Sequence, residues 1–473
     1  SFDRISAGPT GVTKLGRHAG AADSDRIFCH DSFESGMVER SIAVVGGAVA
    51  GLAAADRFAS AADVTLFERQ SYDDKRVNCG EAINDTSLIP LAKTPENGFL
   101  NDVDGFELRV FEGQEHGPNA PPLGTSLIRC PPGYITDRDV VERTWAEKVA
   151  ADGVDVKENA AVGPDRFREL CRSHDYVIDA TGQPALSMRA FGDLDAYTGE
   201  IVAVNADVDG DFGSIASSPQ IFFEGYVGYA WLFPKSETRA NVGIGWAGEE
   251  RPDEYYAALE GACRRNGLPV PDRSETNIYT IPRGPSLDPA ATYRAGENVV
   301  LVGDAAGIAN RYQGEGICQA IRSSSLAAEA ILEDRPETYP DRLYELIQSE
   351  YRLAHLMRGA WVEHGDPRLL ARVAEALDGL TVDDITRSPG RVAARLVRGL
   401  DRVPHVRGQQ LCLSGEPPGG AREHLDGRLG SHELEALLPD LAEFVGVAAE
   451  HVRRRELVHR QELHCLAGRD SVE

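Results

Sequence analysis

The run Ser41-Ile42-Ala43-Val44-Val45-Gly46-Gly47-Ala48-Val49-Ala50-Gly51 constrains the fold more than any other segment. Ser41 to Gly46 is an apolar, β-branched strand pattern, Val49 to Ser60 is alanine-rich and helical, and Asp63 to Glu68 returns as a second strand. A strand, a helix and a second strand in so short a span form a βαβ unit, which demands a parallel sheet. The glycines between strand and helix leave bare backbone at the helix N-terminus, where free N–H groups and the positive end of the helix dipole favour a pyrophosphate. Ala48 stands where the second glycine of G-x-G-x-x-G usually does, which makes the approach less close. Glu68 lies 22 residues after Gly46 at the tip of the second strand, where a carboxylate accepts both hydroxyls of a ribose.

Two later apolar runs, Tyr176 to Ala180 and Asn298 to Val302, each end in a small-residue turn and are expected to join the same parallel sheet. Between them Ile201–Val208, Gln220–Glu224, Tyr229–Phe233 and Arg239–Trp246 are extended segments broken by Gly, Ser and Asp, the texture of an antiparallel sheet. Gly314 to Glu333 is expected to be a helix, helical periodicity continues from Tyr339 to about Arg407, and Pro417 to Gly420 look like a linker. The expected fold class is therefore α/β: a discontinuous Rossmann-like domain (37–95, 130–187 and 291–335) with an inserted antiparallel-sheet substrate domain (96–129 and 188–290). A helical C-terminal region (336–412) and a linker and tail (413–473) follow. Residues 1–36 precede Met37, the first methionine, and are expected to be an extension without structural role.

Charge narrows the function classes. The 49 basic and 75 acidic side chains leave a net charge of −26, which repels phosphate backbones and anionic lipid headgroups, so nucleic-acid binding is disfavoured. Only six of the basic residues are lysine, and acidic excess with scarce lysine resembles the proteins of salt-loving archaea, where high salt screens self-repulsion. The longest apolar run, Ile42 to Ala55, is too short to span a bilayer. The eight cysteines include no C-x-x-C pair, so neither a structural metal site nor a disulfide scaffold is expected, and a cytoplasmic, reducing setting fits.

Leu301-Val302-Gly303-Asp304-Ala305-Ala306-Gly307, followed by Gly314-Glu315-Gly316-Ile317, resembles the flavin-binding signature of the para-hydroxybenzoate hydroxylase-like flavoproteins. Arg138 in Tyr134-Ile135-Thr136-Asp137-Arg138 is similar to the arginine that opens a helix beside the flavin, and Asp179-Ala180-Thr181-Gly182 to the family's middle motif. The resemblance implies FAD as cofactor, with Asp304 at the ribityl and pyrophosphate region and Gly314, Gly316 and Ile317 near the isoalloxazine. It also assigns Gly46, Gly47, Val49, Ala50, Gly51, Glu68, Arg69, Cys79, Gly80, Ala82 and Val162 to cofactor binding.

One branch is closer. Tyr229-Ala230-Trp231-Leu232-Phe233-Pro234 with Gly243-Ile244-Gly245, and Cys79-Gly80-Glu81-Ala82, resemble the corresponding motifs of archaeal geranylgeranyl reductases. Tyr229, Trp231 and Phe233 alternate and so share one strand face, which suits either plain core packing or the wall of an apolar tunnel. The resemblance selects the tunnel and implies that Tyr229, Trp231 and Phe233 bind an isoprenoid chain whose double bonds are reduced. Cys79 and Tyr229 are then the acid candidates, with bound water as a third and Trp231 beside them in the catalytic set; a free cysteine is otherwise a small buried hydrophobe. Where these reductases often carry proline before the second glycine cluster, this chain has Arg311. No second dinucleotide fingerprint is present, so the reductant is expected to be NAD(P)H visiting transiently or an electron-carrier protein such as a ferredoxin-like donor. A lipid substrate implies peripheral contact with a membrane. Lys75 leaves open a flavin-dependent halogenase or monooxygenase on the same fold, and a non-catalytic electron-transfer flavoprotein is a further alternative.

Overall fold

The structure is a computed structural model that describes residues 40–192, 200–248, 250–282, 289–310, 314–348 and 366–381, with Leu194, Asp384 and Arg395. The expected extension 1–36, the tail 413–473 and Arg311 lie outside the described residues. In chain order the first half contains β1 (Ser41–Val45), α1 (Val49–Phe58), β2 (Asp63–Phe67), β3 (Ala82–Ile83), β4 (Phe99–Val110), β5 (Gly124–Thr136), α2 (Arg138–Ala151), β6 (Asp155–Lys157), α3 (Pro164–Ser173) and β7 (Tyr176–Asp179). It continues with α4 (Leu186–Phe191), β8 (Glu200–Asp209), β9 (Gln220–Phe223), β10 (Gly228–Pro234), β11 (Arg239–Trp246) and α5 (Tyr255–Arg265). Last come β12 (Asn277–Pro282), β13 (Tyr293–Arg294), β14 (Val299–Leu301) and α6 (Ile317–Leu332); residues 339–348 are helical, and a further helix spans Pro367–Leu377.

The strands form two sheets. The first has the order β13-β14-β7-β1-β2-β6, with β14, β7, β1, β2 and β6 parallel and β13 antiparallel at the edge. Its central strand β1 is buried along Ile42 to Val45, as expected where helices cover both faces of a parallel sheet. Helix α1 buries Val49 to Ala55 and Phe58, and α6 packs against it closely enough for the Ser324 hydroxyl to donate to the Ala50 carbonyl at 2.8 Å. Gly46 makes the turn between β1 and α1 at φ 103°, and a Cβ there would lie 2.4 Å from the Ala180 carbonyl oxygen of the neighbouring β7 turn. Glycine is thus required at this position by both backbone angle and space.

The second sheet has the order β12-β8-β11-β10-β9-β4-β5-β3. The four middle segments expected from sequence are β8 to β11, while the long hairpin β4–β5 and the edge strand β12 add to them. Strand β5 runs without a break through position 130, where the sequence reading set a boundary between domains. Along β10 the alternation resolves into two environments. Ala230 and Leu232 pack into the core against α5, whereas Tyr229, Trp231 and Phe233 face the other way, with Ala203 and Ile281. Trp231 is paired with Gly243 across β10 and β11, and a Cβ on Gly243 would lie 2.1 Å from the indole Cζ2. The small residue of the Gly243-Ile244-Gly245 motif therefore lets the indole lie on the neighbouring backbone.

The helix expected from Gly314 begins only at Ile317, because Gly314 has φ 70° and the segment to Gly316 is a turn closed by Gly314 N–H to the Asn310 carbonyl and Asn310 N–H to the Glu315 carbonyl. That turn sets the start of α6 against Asp304. Replacing Gly46 by alanine should destabilise the protein by about 1–3 kcal/mol through backbone strain alone, with the Ala180 clash adding to it. Chemical unfolding in molar salt reads this as a lower midpoint.

Candidate functional site

The turns that follow β1, β7 and β14 lie together at the carboxyl ends of the parallel strands, where open α/β sheets bind ligands. One face of the second sheet covers them. Between the two lies a cavity of about 450 Å³, lined on one side by Ala48–Ala50, Ala180–Gly182, Asp304 and Gly314–Ile317. Its other walls are Cys79–Ala82 and Arg138, the aromatic face of β10, Phe106 and Leu108 of β4, Tyr279 of β12, and Leu370, Val373, Ala374 and Leu377 of the Pro367–Leu377 helix.

The residues present fit a dinucleotide with a flavin. Helices α1 and α6 both point their N-termini at the cavity, and neither start carries a side-chain cap or an acidic residue in its first turn. Such ends present backbone donors and positive potential to an anion. Glu68 is buried and accepts from Gly47 N–H at 3.0 Å and Gln70 N–H at 2.9 Å, which holds its carboxylate against the glycine turn. A carboxylate accepts about four hydrogen bonds. With Lys75 Nζ also donating at 2.9 Å, one acceptor position remains for a ribose hydroxyl.

From Glu68 a ladder of alternating charge leads inward. The Lys75 ammonium is 2.9 Å from Glu68 and 3.0 Å from Glu142, and Glu142 in turn accepts from Arg138 Nε at 2.9 Å. Burial disfavours the Arg138 charge, but Glu142 and the neighbouring Cys79 outweigh it and hold the guanidinium above its ordinary range. Asp304 moves the other way: burial raises its carboxyl, opposed by Arg138.

A second network fixes the segment carrying Cys79. The Asn205 amide donates to the Cys79 carbonyl at 2.6 Å, and the Asn241 side-chain oxygen accepts from Trp231 Nε1 at 2.9 Å and from Asn205 at 3.3 Å. Asn241 donates to Asp207 at 2.9 Å. Asp207 and Asp137 each lie 2.9 Å from the Lys235 ammonium, which also pairs with Glu81. Gly80 then packs on the aromatic face, a Cβ there lying 3.2 Å from Phe233 Cε2 and 3.3 Å from Trp231 Nε1. The ring contacts Tyr229–Trp231 (6.0 Å), Trp231–Phe233 (5.9 Å) and Phe106–Phe233 (5.7 Å) make this wall continuous.

Of the residues singled out in the sequence, Val49, Ala50, Cys79, Gly80, Ala82, Arg138, Asp304, Gly314, Gly316, Ile317, Tyr229, Trp231 and Phe233 line this cavity. Gly46, Gly47, Gly51 and Glu68 form the turn behind it, outside its lining. Arg69 is exposed beside Glu68, and Val162 packs with the cluster of Val45 and Phe167, so neither reaches the cavity. Lys75 is also absent from the lining, its ammonium held by Glu68, Glu142 and the Gly47 carbonyl. The sequence reading missed Tyr279, the β4 wall, and the helix that contributes Leu370, Val373, Ala374 and Leu377. These last recur at i, i+3, i+4 and i+7, which marks an amphipathic helix but not what it faces.

Burial, then Glu315 and Cys79, push the Tyr229 hydroxyl up, and Tyr279 is raised by burial, then by Cys79 and Tyr229. Both phenols are therefore protonated at neutral pH. Burial also pushes the Cys130 and Cys263 thiols up to about 12 and raises that of Cys318. Brief iodoacetamide treatment of the native protein at pH 8 should therefore label Cys79, which is partly exposed to the cavity, before Cys130, Cys263 or Cys318, as peptide masses would show. Although burial raises the Asp137 carboxyl, Lys235 and Arg239 outweigh this and hold it below 3.8. Its contribution to stability is thus present above that value and lost as pH falls through the lower folded one. Asp137→Asn should flatten the acid limb of the stability profile, measured as denaturation midpoint against pH.

No protein-family model matches the chain. The digeranylgeranylglycerophospholipid reductase 2 of Methanosphaera stadtmanae is 28% identical over 335 residues, covering 62% of this chain and 79% of its own. A geranylgeranyl bacteriochlorophyll reductase-like protein from Thermoplasma acidophilum superimposes with a TM-score of 0.58 at 20% identity, over 78% of this chain and 98% of its own. The halogenase PltM, solved in complex with FAD, shares the fold at a TM-score of 0.54 and 12% identity, over 78% of this chain and 83% of its own. With 24–28% identity to several such reductases over most of its length, and with the fold of the FAD-dependent oxidoreductases, the chain is a relative of the digeranylgeranylglycerophospholipid reductases.

Proposed function

We infer that this protein is an FAD-dependent reductase that saturates carbon–carbon double bonds of geranylgeranyl chains, in the manner its relatives' names describe. The observation that carries the reading is the cavity itself, in which an aromatic and aliphatic wall leads to Cys79, Tyr229, Tyr279 and Arg138 beside two open helix N-termini. An isolated alkene has no carbonyl to polarise, so its reduction needs a hydride at one carbon, a proton at the other, and close positioning in a dry site.

Bound and reduced FAD supplies the hydride. The chain supplies the rest. Glu68, the Gly46–Gly47 turn and the start of α1 hold the dinucleotide end, while Asp304 and the start of α6 meet the flavin end. Trp231, Phe233 and Phe106 align the chain by contact and exclude water. The proton reaches the second carbon from the Tyr229 hydroxyl or the Cys79 thiol, with Tyr279 beside them as a third donor; burial keeps both phenols protonated for this role. The electrons arrive from NAD(P)H or a ferredoxin-like carrier. Among the described residues no helix is long and apolar enough to cross a membrane. The lipid substrate is what implies peripheral contact with a membrane.

A halogenase would need a lysine at the reacting centre. Among the described residues lining the cavity there is none, and Lys75 is committed to Glu68 and Glu142 behind the flavin side. The test is the product mass after anaerobic incubation of the FAD-loaded, chemically reduced protein with a geranylgeranyl lipid in molar salt. A gain of two hydrogens per affected bond is expected. Tyr229→Phe or Cys79→Ser should slow single-turnover flavin oxidation by lipid about 10²-fold or more where the side chain is the donor. An unchanged lipid beside a competent reduced flavin would sink the reading in favour of oxygen-dependent chemistry.

A further inference from the structure

The Lys235 side chain is 4% exposed, and its ammonium meets three carboxylates from three segments. Glu81 closes the Cys79-Gly80-Glu81 segment, Asp137 immediately precedes Arg138 at the start of α2, and Asp207 belongs to β8 of the second sheet. Carboxylate oxygens of the three lie within 4.8 Å of one another, a spacing at which like charges disfavour one another unless a cation or a retained proton offsets them, and here the cation is Lys235. A lysine suits this place because its compact ammonium has three donors free to take different directions, whereas an arginine fork favours one planar partner.

Each partner bears on a group at the cavity. Glu81 accepts from the Arg138 backbone N–H at 2.9 Å, and its own backbone N–H lies 3.2 Å from the Cys79 sulfur. Glu81 has φ 63°, a left-handed conformation that a non-glycine residue keeps only where its surroundings hold it. Asp207 reaches Cys79 and Trp231 through Asn241 and Asn205. Lys235 lines no part of the cavity, yet its partners lead by short relays to the Cys79 thiol, the Arg138 backbone and the Trp231 indole.

We propose that Lys235 is a positioning residue which, by clamping Glu81, Asp137 and Asp207 together, sets the placement of Cys79 and Arg138 against the aromatic wall in the reacting cavity. The inference rests on the reductase reading for what those groups react with, but not for the clamp itself.

The test compares FAD-loaded wild type with Lys235→Met in molar salt, reading iodoacetamide labelling of each cysteine by peptide mass alongside kcat and KM with a geranylgeranyl lipid. Release of the clamp should raise labelling of Cys79 at least about threefold while Cys130, Cys263 and Cys318 stay slow, and should lower kcat about tenfold with KM within about twofold. Lys235→Arg, which keeps the charge without the three-way geometry, should recover part of both. Unchanged Cys79 labelling and kcat in folded Lys235→Met would overturn the proposal, as would a rise at all four cysteines together, which reports general loosening. If Lys235→Met does not fold, Asp207→Asn removes one charge of the clamp while an amide can still bond Asn241; a smaller selective rise at Cys79 is expected, and its absence overturns the proposal. A wild type that reduces no lipid sinks the reductase reading instead, and the labelling contrast still decides the clamp.

Discussion

The Lys235 ammonium lies where the start of α2, the segment before β3 and the second sheet converge, and it makes that convergence electrostatically tolerable. Glu81 is buried, whereas Asp137 and Asp207 are 23% and 38% exposed, so the lysine offsets a repulsion that solvent already screens in part, and Arg239 shares Asp137 with it. With the lysine present, the same three groups become fixed points from which hydrogen bonds run to Cys79, Arg138 and Trp231. The ladder Glu68–Lys75–Glu142–Arg138 repeats the device on the cofactor side. In both, a buried cation separates carboxylates that would otherwise be forced apart, and Arg138 belongs to one directly and to the other through its backbone N–H.

These two networks also keep a defined site in a chain of net charge −26 whatever the ionic strength. Salt screens exposed charges over a few ångströms but reaches buried pairs much less. The scarce lysines include two buried in these networks, Lys75 with 6% and Lys235 with 4% of the side chain exposed, and are not all spent on the surface. Acidic residues on the surface and carboxylates around a buried cation thus answer different physical demands.

Much of the architecture was legible from residues alone. The βαβ opening, the strands Tyr176–Asp179 and Val299–Leu301, and the middle strands β8 to β11 follow from apolar runs and their punctuation, because period and glycine position are local properties. The start of α6 was misplaced by three residues because Gly314 takes a left-handed φ that the sequence pattern does not announce. The hairpin β4–β5 was not assigned as strands, since its segments mix apolar and charged residues and its burial comes from β9, β3 and the Pro367–Leu377 helix rather than from its own pattern.

For the site, the sequence determined which residue types stand at the turns after β1, β7 and β14 and that Tyr229, Trp231 and Phe233 share a face, because turn chemistry and strand alternation are written in adjacent positions. Tertiary structure alone decided that this face closes over those turns, that Tyr279 and the Pro367–Leu377 helix complete the wall, and that Lys75 is held by Glu68, Glu142 and the Gly47 carbonyl outside the cavity lining. It alone brought Lys235 to Glu81, Asp137 and Asp207, residues that are up to 154 positions away along the chain or as few as 28. Which charges neutralise one another in a buried site depends on where distant segments pack, and no local periodicity carries that information.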